Sequence, residues 1–244
     1  MLDAVFLIPA LPLLGFLTIV VFGRRLGEPL AGWLATTMMG GSFAAAVVVM
    51  FGLLDRPAEE RQFVQTLFEW IPAGDFSVDV GFLVDPLSVT MALFITGVGA
   101  LIHLYSIGYM HGDRDFSKFF LYLNLFAFAM LMLVLGDNML ITFLGWEGVG
   151  ACSYLLISFW FSDEYNASAG KKAFITNRVG DWGFLVAMFL TFTSLGSIRY
   201  LDVLGNANQL TQTTATAIVV LLLVGAVGKS AQIPLFLWLP DAMA

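Results

Sequence analysis

The chain has 244 residues, of which 59% are hydrophobic and only 12% are charged, and its mean hydropathy is +0.87. Soluble domains carry about 25% charged residues, so a soluble protein is excluded because it could not bury this much apolar surface. We predict a polytopic membrane protein. In such a protein the positions of the charges matter more than the net charge of −7.

Residues that usually hold metals and cofactors are scarce. Cys152 is the single cysteine, which excludes an intrachain disulfide and a four-cysteine iron–sulfur cluster. The two histidines, His103 and His111, form no recognisable zinc pattern. No Gly-rich phosphate loop and no supported Ser/His/Asp arrangement is found. We therefore expect redox chemistry only in other chains, with no metal or cofactor bound here.

The predicted fold is an all-α, polytopic transmembrane bundle of about seven elements, the last one broken. A spanning helix needs about 20 apolar residues. The first apolar run lacks a charged flank and a cleavage site, so it is predicted to be a membrane helix and not a signal peptide. The third element is expected to have Asp85 as its N-cap and Pro86 at its first position. The predicted elements are Leu2 to Phe22, Leu30 to Leu54, Asp85 to Met110, Phe116 to Leu135, Met139 to Phe161, Lys172 to Leu195, and Thr213 to Val227.

The seventh element is predicted to break just after its apolar run, at Lys229-Ser-Ala-Gln-Ile-Pro234. Irregular backbone at membrane depth is tolerated where it is buried in protein or lines a cavity, and broken helices mark ion sites in many secondary transporters. A simple proline kink is the alternative. The most polar connection, Arg56 to Gly81, is predicted to be a small surface hairpin or amphipathic piece. Residues 1–84 thus form one predicted region, and residues 85–244 a second.

The basic residues predict the orientation of the chain. Seven of them fall in loops on one side of the predicted bundle and three on the other. The first side is therefore expected to face the cytoplasm, with the N-terminus outside. The seven are Arg24, Arg25, Arg114, Lys118, Lys171, Lys172 and Arg178, and the three are Arg56, Arg61 and Arg199.

Two lone charges, Glu147 and Lys229, interrupt apolar runs on separate predicted helices. A charge at bilayer depth costs roughly 2.5–3.5 kcal/mol on insertion scales and usually faces a bundle interior or a water-filled path. Lys229 is the natural basic partner for Glu147, and a carboxylate that approaches or retreats changes the proton affinity of a buried lysine. The pair therefore predicts a proton relay. The alternatives are a structural anchor at Glu147 and a static ion pair at Lys229.

Three further residues are candidates for secondary roles. Arg178 and Asp181 are three residues apart near the start of the sixth element, so they share a helix face. They predict either part of a cytoplasmic-side entry, with Lys171 and Lys172 nearby, or a local ion pair. His103 titrates near neutrality when unperturbed and could relay protons. A satisfied structural histidine is favoured.

Several motifs resemble the large antiporter-like membrane subunit, subunit L, of proton-pumping NADH:quinone oxidoreductase (complex I). The resemblance covers most of the chain from Asp85 onward, and related subunits occur in sodium/proton antiporters and membrane-bound hydrogenases. The motifs are Asp85-Pro-Leu-Ser88, His103-Leu-Tyr-Ser-Ile-Gly-Tyr-Met110, Gly145-Trp-Glu-Gly-Val-Gly150, Cys152-Ser-Tyr-Leu-Leu156, Thr176-Asn-Arg-Val-Gly-Asp181, Gly228-Lys-Ser-Ala-Gln-Ile-Pro-Leu235 and Trp238-Leu-Pro-Asp-Ala-Met243.

The resemblance implies roles for these residues. Glu147 and Lys229 match the paired core of a proton channel, and Asp181 matches an aspartate that assists the lysine. NADH, quinone, FMN and iron–sulfur clusters are expected in partner subunits of the membrane-bound complex, which delivers redox energy to this chain. Phe236 and Leu237 depart from the polar residue common in relatives. The family also continues beyond Ala244, so the chain is expected to be an N-terminal portion.

The expected function is that of a non-redox, proton-translocating subunit of NADH:quinone oxidoreductase in a bacterial inner membrane, with protons, lipid and other membrane-arm subunits as partners and no nucleic acid. Two alternatives are a subunit of a multisubunit sodium/proton antiporter and a structural membrane-arm subunit without its own transport path. The geometry of Glu147 and Lys229 separates them: a transport role requires both side chains to face one polar interior path.

Overall fold

Helices dominate the structure, a computed structural model that describes residues 1–74 and 76–243. Short 3₁₀ turns lie at Leu2–Phe6, Ala58–Glu60, Ala207–Gln209 and Asp241–Met243. The α-helices and strands, in chain order, are α1 (Leu7–Leu54), β1 (Phe63–Ala73), β2 (Phe76–Val84), α2 (Pro86–Tyr109), α3 (Phe116–Leu135), α4 (Met139–Ile157), α5 (Glu164–Leu195), α6 (Tyr200–Gly205) and α7 (Gln212–Lys229).

Helix α1 contains the first two predicted elements in one long run. Its backbone is not helical at Gly27, where φ is 58°, or at Glu28. A positive φ suits glycine, which has no Cβ to clash. The Glu28 carboxylate contacts His111 and accepts a hydrogen bond from the Gly112 N–H at 3.0 Å. The break therefore turns the chain back, and α1 supplies two antiparallel arms.

The chain is a multi-pass membrane protein. Within the described residues, five helices are long and apolar enough to cross a membrane, namely α1, α2, α3, α4 and α7. Helix α5 is the sixth predicted element, but it starts eight residues before the predicted start at Lys172, and α4 ends at Ile157 instead of Phe161. Asp163 caps α5 through a hydrogen bond from the Tyr165 N–H at 2.9 Å, so a capping side chain and not apolar content sets that boundary.

Helix α2 begins as predicted. The Asp85 side chain accepts a hydrogen bond from the Ser88 N–H at 2.7 Å, the Ser88 hydroxyl accepts one from the Asp85 N–H at 2.9 Å, and Pro86 is the first helical residue. This reciprocal capping satisfies two backbone donors that a helix start otherwise leaves open.

The polar connection forms the predicted hairpin, and its second strand continues past the predicted end at Gly81 to Val84. Strands β1 and β2 pair antiparallel from Phe63 opposite Val84 to Ala73 opposite Phe76, with two register irregularities. Asp75 lies outside the described residues. Val78, Phe82 and Val84 are buried against the helices. The hairpin therefore covers one end of the bundle, which we call the hairpin face, and the opposite end is the loop face.

A polar cluster, which we call the hairpin clasp, joins the hairpin to the starts of α4 and α6. It consists of Asp79, Asp137, Asn138, Thr142, Arg199 and Tyr200. Arg199 pairs with Asp79. The Asn138 amide donates to the Asp137 carboxylate at 2.7 Å and to the Asp79 carbonyl at 3.0 Å. The Tyr200 hydroxyl donates to Thr142 at 2.7 Å. These bonds hold the strand edge to two helix ends.

Helices that lie close together in chain order pack against one another. The two arms of α1 pack against α2 and α3, α3 packs against α4, and α4 packs against α5, which pairs with α7. Small residues permit this closeness. A Cβ at Gly145 would lie 2.7 Å from the Ala129 carbonyl oxygen, so α4 and α3 touch backbone to backbone, an arrangement that small residues allow in membranes.

Helix α7 ends at Lys229, and the predicted break follows it directly. Ala231 has a φ of 50°, and residues 230–240 form turns and not a continuing helix. The Trp238 indole N–H donates to the Gly228 carbonyl at 3.1 Å, so the tail folds back against the end of α7. Lys172 binds Asp241 at 2.7 Å, which ties the tail to α5.

Candidate functional site

Close contact between α5 and α7 sets the position of the candidate site. A Cβ at Gly183 would lie 2.7 Å from the Leu221 carbonyl oxygen, and one at Gly180 would lie 3.1 Å from the Val224 carbonyl oxygen. Gly225 and Gly228 on α7 are buried in the same contact. Because no side chain separates the helices, the end of α7 lies directly beside the middle of α5.

Four ionisable residues from three helices meet there, and we call them the charge chain: Glu147 on α4, Arg178 and Asp181 on α5, and Lys229 on α7. Arg178 pairs with Glu147. The Arg178 Nε lies 3.7 Å from Asp181 Oδ2, and the Lys229 Nζ lies 3.7 Å from Asp181 Oδ1. Negative and positive groups alternate along the chain, so it is neutral when all four are ionised.

Glu147 and Lys229 therefore lie in one seam but do not pair directly. We expected Lys229 to be the basic partner of Glu147, and this pairing is wrong: Arg178 occupies that place. The physical reason is that Arg178 is not in a loop. It lies 14 residues into α5, roughly 21 Å from the first residue at 1.5 Å per residue. Its inclusion among the loop cations was therefore wrong as well.

Asp181 is the most deeply buried member of the charge chain, with its side chain 3% exposed. The Trp146 indole N–H donates to Asp181 Oδ1 at 2.6 Å. Asp181 therefore contacts a neutral donor and lies near two cations. The structure places Asp181 at the centre of the site and beside Arg178. Lys172, which was expected near these two residues, instead contacts Asp241 in the tail.

Space for the Lys229 amine comes from Gly150. A Cβ at residue 150 would lie 2.6 Å from Lys229 Nζ, so only glycine leaves this volume free. The amine also lies 5.8 Å from the centre of the Trp146 ring, within range of a cation–π contact. Lys229 is the last residue of α7, where the negative end of the helix dipole favours a positive charge.

Hydrogen bonding in the site is incomplete. Lys229 Nζ, Arg178 Nε, Asp181 Oδ2 and the neighbouring Asn177 Oδ1 are buried without a hydrogen-bond partner in the described part of the chain. The 3.7 Å ion-pair distances exceed the length of a normal N–H···O hydrogen bond. Buried polar atoms are usually paired, and four of the seven that lack a partner in the described residues lie together in this seam.

The other polar residues of this region have local roles. The Ser230 hydroxyl donates to the Ala226 carbonyl at 2.5 Å, so it satisfies backbone at the helix end. His103 lies on α2, is 3% exposed, and its Nδ1 hydrogen-bonds the Gly99 carbonyl at 2.7 Å. Its ring is 6.4 Å from that of Phe120. The structure thus places His103 against α3 and not in the charge chain.

Trp146 and Gly150 are site residues whose contributions the sequence reasoning missed. Both lie in the motif around Glu147, one helical turn apart on α4. The available signal was chemical: an indole N–H inside a membrane helix needs an acceptor, and a glycine four residues later leaves room beside it. Neither signal identifies Asp181 as the residue that Trp146 contacts or Lys229 as the residue beside Gly150.

Two family models match the sequence. One, described as NADH:quinone oxidoreductase/Mrp antiporter, matches residues 136–244, and the other, described as the N-terminus of complex I chain 5, matches residues 70–120. Together they span about two thirds of the chain. Residues 70–120 and 136–244 of the chain therefore carry domains of this family of antiporter-like membrane subunits.

Members of the family from bacteria align with nearly the whole chain. NADH-quinone oxidoreductase subunit L of Mycobacterium tuberculosis is 46% identical over 237 residues, which is 97% of this chain and 37% of that protein. Subunit L of Escherichia coli is 41% identical over 243 residues, covering 96% of this chain and 38% of that protein. The chain thus spans little more than a third of the length of these relatives.

Two solved structures share the fold. The Mrp complex from Dietzia sp. DQ12-45-1b superposes with a TM-score of 0.79 and 26% identity, covering 98% of this chain and 25% of that chain. A membrane-bound sulfane sulfur reductase, an archaeal respiratory membrane complex, gives a TM-score of 0.82 at 18% identity, over 99% of this chain and 47% of that chain. The helical arrangement is therefore that of antiporter-like subunits, as the sequence predicted.

Proposed function

We propose that this chain is part of a proton-translocating membrane subunit of an NADH:quinone oxidoreductase, with Lys229 as the residue that takes and releases the proton. The observation that carries the proposal is the charge chain, in which four ionisable side chains from α4, α5 and α7 form one continuous seam. Ionisable residues within membrane spans are expensive and mark ion or proton pathways.

Arg178 supplies the switch in this mechanism. It lies between Glu147 and Asp181, and it can strengthen its contact with one carboxylate only by weakening its contact with the other. When Arg178 is held by Glu147, the charge of Asp181 is available to Lys229 and favours its protonated form. When Arg178 moves toward Asp181, Lys229 loses that support and releases its proton. Contact of Arg178 with Glu147 therefore favours the protonated form of Lys229, and contact of Arg178 with Asp181 favours the neutral form.

The redox chemistry belongs to other subunits in this proposal. NADH, FMN, iron–sulfur clusters and quinone bind to partners in the complex, and those partners drive the rearrangement of the charge chain. Residues 85–244 supply the first part of the proton channel unit. We propose that the loop face, where most of the basic residues predicted in loops lie, faces the cytoplasm of a bacterial inner membrane and that the N-terminus is outside.

The test uses the intact complex reconstituted into liposomes. Replacing Lys229 or Glu147 with alanine should lower proton pumping per NADH oxidised, while NADH oxidation with an artificial electron acceptor stays unchanged. Normal pumping in a Glu147→Ala, Lys229→Ala double variant rules the proposal out.

A charge exchange separates transport from a purely structural role. Glu147→Arg with Arg178→Glu keeps one acid opposite one base, so a structural pair would retain full pumping. A relay would not, because the exchange places a cation on α4 and puts a second carboxylate, next to Asp181, beside Lys229. The variant must assemble at the level of the unmodified complex for the comparison to count.

The second candidate is a subunit of a sodium/proton antiporter, favoured by the structural likeness to the Mrp complex. It predicts sodium-dependent transport without NADH oxidation. Proton uptake that is driven by NADH and is unchanged when sodium is replaced by choline selects the first candidate.

A further inference from the structure

A cavity of about 510 Å³ at the loop face carries an excess of positive charge. It lies between the first arm of α1 and the start of α3, where the Ser117 hydroxyl donates to the Gly23 carbonyl at 3.0 Å. Three basic side chains, Arg24, Arg114 and Lys118, line it with a single acidic one, Asp115. Its volume falls in the range of small-molecule sites, roughly 300–1,000 Å³.

The cations of this cavity are poorly neutralised by the protein. Arg114 contacts Asp115 at 3.3 Å, with the arginine side chain 82% exposed. Within residues 1–74 and 76–243, no carboxylate lies in ion-pair range of Arg24 or Lys118. Such a group of uncompensated positive charges attracts anions.

Lys118 is held in place by aromatic rings and not by an acid. Its ammonium lies 4.9 Å from the centre of the Phe161 ring, 5.7 Å from that of Phe159 and 5.9 Å from that of Tyr122. These cation–π contacts orient the side chain while leaving its three N–H donors free of carboxylates. The cavity therefore presents one ammonium donor that aromatic rings hold in position, together with two exposed arginines.

The deeper wall of the same cavity is apolar. Ile19, Val20 and Leu121 line it one turn further into the membrane than the cations. A ligand that fits must therefore carry an anionic group at membrane-surface level and a hydrocarbon chain that continues inward. Free phosphate matches only the first requirement, and an acidic protein segment does not match the second.

We propose that this cavity binds the headgroup of an anionic phospholipid, with the phosphate between Arg24, Arg114 and Lys118 and an acyl chain along Ile19, Val20 and Leu121. Basic pockets between membrane helices recognise anionic headgroups in this way. The site lies at the meeting of the α1 break and α3, so a bound lipid would join these two elements. It uses none of the residues of the charge chain.

The test measures lipid binding to the intact protein purified in detergent, by native mass spectrometry with added phosphatidylglycerol or phosphatidylcholine. We expect a preference for phosphatidylglycerol. Replacing Arg24 with glutamine should lower that affinity about fivefold, the factor that corresponds to about 1 kcal/mol per basic residue. Lys118→Gln should act similarly. Arg25→Gln removes the same charge from the adjacent residue, which does not line the cavity, and should have a smaller effect.

A second measurement needs no substitution. Phosphatidylglycerol with a photoreactive group near its headgroup, in phosphatidylcholine nanodiscs, should label residues 19–27 and 114–121 above the rest of the loop face. Equal labelling by a phosphatidylcholine analogue, equal effects of Arg24→Gln and Arg25→Gln, or displacement of phosphatidylglycerol by inorganic phosphate would each overturn the proposal.

Discussion

The charge chain and the hairpin clasp are both polar clusters built on α4, and they differ in how well their atoms are paired. Thr142 of the clasp and Trp146 and Gly150 of the site follow one another at four-residue intervals, so they share one face of the helix. In the clasp, within the described residues, no buried polar side-chain atom lacks a hydrogen-bond partner, whereas the site has three such atoms from the charge chain itself.

This difference suggests a physical criterion for separating structural from functional polar clusters in a membrane protein. A fully paired network stabilises one arrangement, because any movement breaks bonds that low dielectric makes strong. A partly paired network of alternating charges has several arrangements of similar energy. We therefore expect substitutions in the clasp to change stability, and substitutions in the charge chain to change transport.

The largest expected contrast is between two arginines. Arg178 and Arg199 each pair with a carboxylate, and their side chains are 38% and 43% exposed. Arg178→Gln should lower proton transport at least about tenfold, because a charge 4 Å away contributes roughly 4 kcal/mol at an effective dielectric constant of 20 and 1.4 kcal/mol is a factor of ten. Arg199→Gln should change transport less than about twofold, since it only weakens the clasp.

Both variants are compared in the reconstituted complex, with transport normalised to assembled protein. The melting temperature of each purified variant provides the control for folding. Equal losses of transport from the two substitutions would break the contrast between the regions.

The second contrast uses two glycines of α4. Gly145→Ala places a methyl group against the α3 backbone and should cost about 1–3 kcal/mol of stability, as overpacking does. Gly150→Ala instead meets the end of the flexible Lys229 side chain, which can move aside. We expect Gly150→Ala to keep the melting temperature and to lower transport several-fold.

Thermal melting and proton transport are measured on the same two preparations. Gly148→Ala, which meets the Ala129 side chain at 2.8 Å, is a third variant that tests packing without touching Lys229. A Gly150→Ala variant that transports normally would show that the position of the amine is not limiting.

The smallest expected effect is the pH dependence of the clasp. Burial raises the pKa of the Asp137 carboxyl above its usual 3.8, and the Asn138 amide and the Arg199 charge offset this only in part. The folded chain then binds this proton more tightly than the unfolded chain does. Its stability contribution is complete below pH 3.8 and is lost as the pH rises through the folded-state pKa.

Asp137→Asn removes that loss, so the melting temperature of the variant should fall less than that of the unmodified protein between about pH 4 and pH 8. Asp163→Asn is the matched control, because asparagine caps α5 as well as aspartate does. Parallel melting profiles for Asp137→Asn and the unmodified protein would contradict the assignment.

Local signals in the sequence predicted much of the fold. The start of α2 followed from Asp85 and Pro86, and the end of α7 followed from the polar run after Lys229, because capping and helix breaking depend on nearby residues. The early start of α5 was missed, since residues 164–171 are too polar for a membrane criterion and are helical because Asp163 caps them.

The candidate site could be predicted only in part, for a related reason. Glu147, Asp181 and Lys229 stand out as charges in apolar surroundings, so their residue types indicated the chemistry. Their pairing depends on the relative depth and rotation of α4 and α5, which hydrophobic content does not define. Arg178 was therefore counted as a loop cation, although it lies between the two carboxylates.

The end of α7 at Lys229 has a mechanical consequence. The tail after it is anchored at both ends of a short arc, to Gly228 by Trp238 and to α5 by the contact of Lys172 with Asp241. A movement of this tail segment reaches Lys229 through a few turn residues. It does not require a whole helix to move through lipid. Movement of Asp241 can thus be passed on to a single ammonium group, that of Lys229.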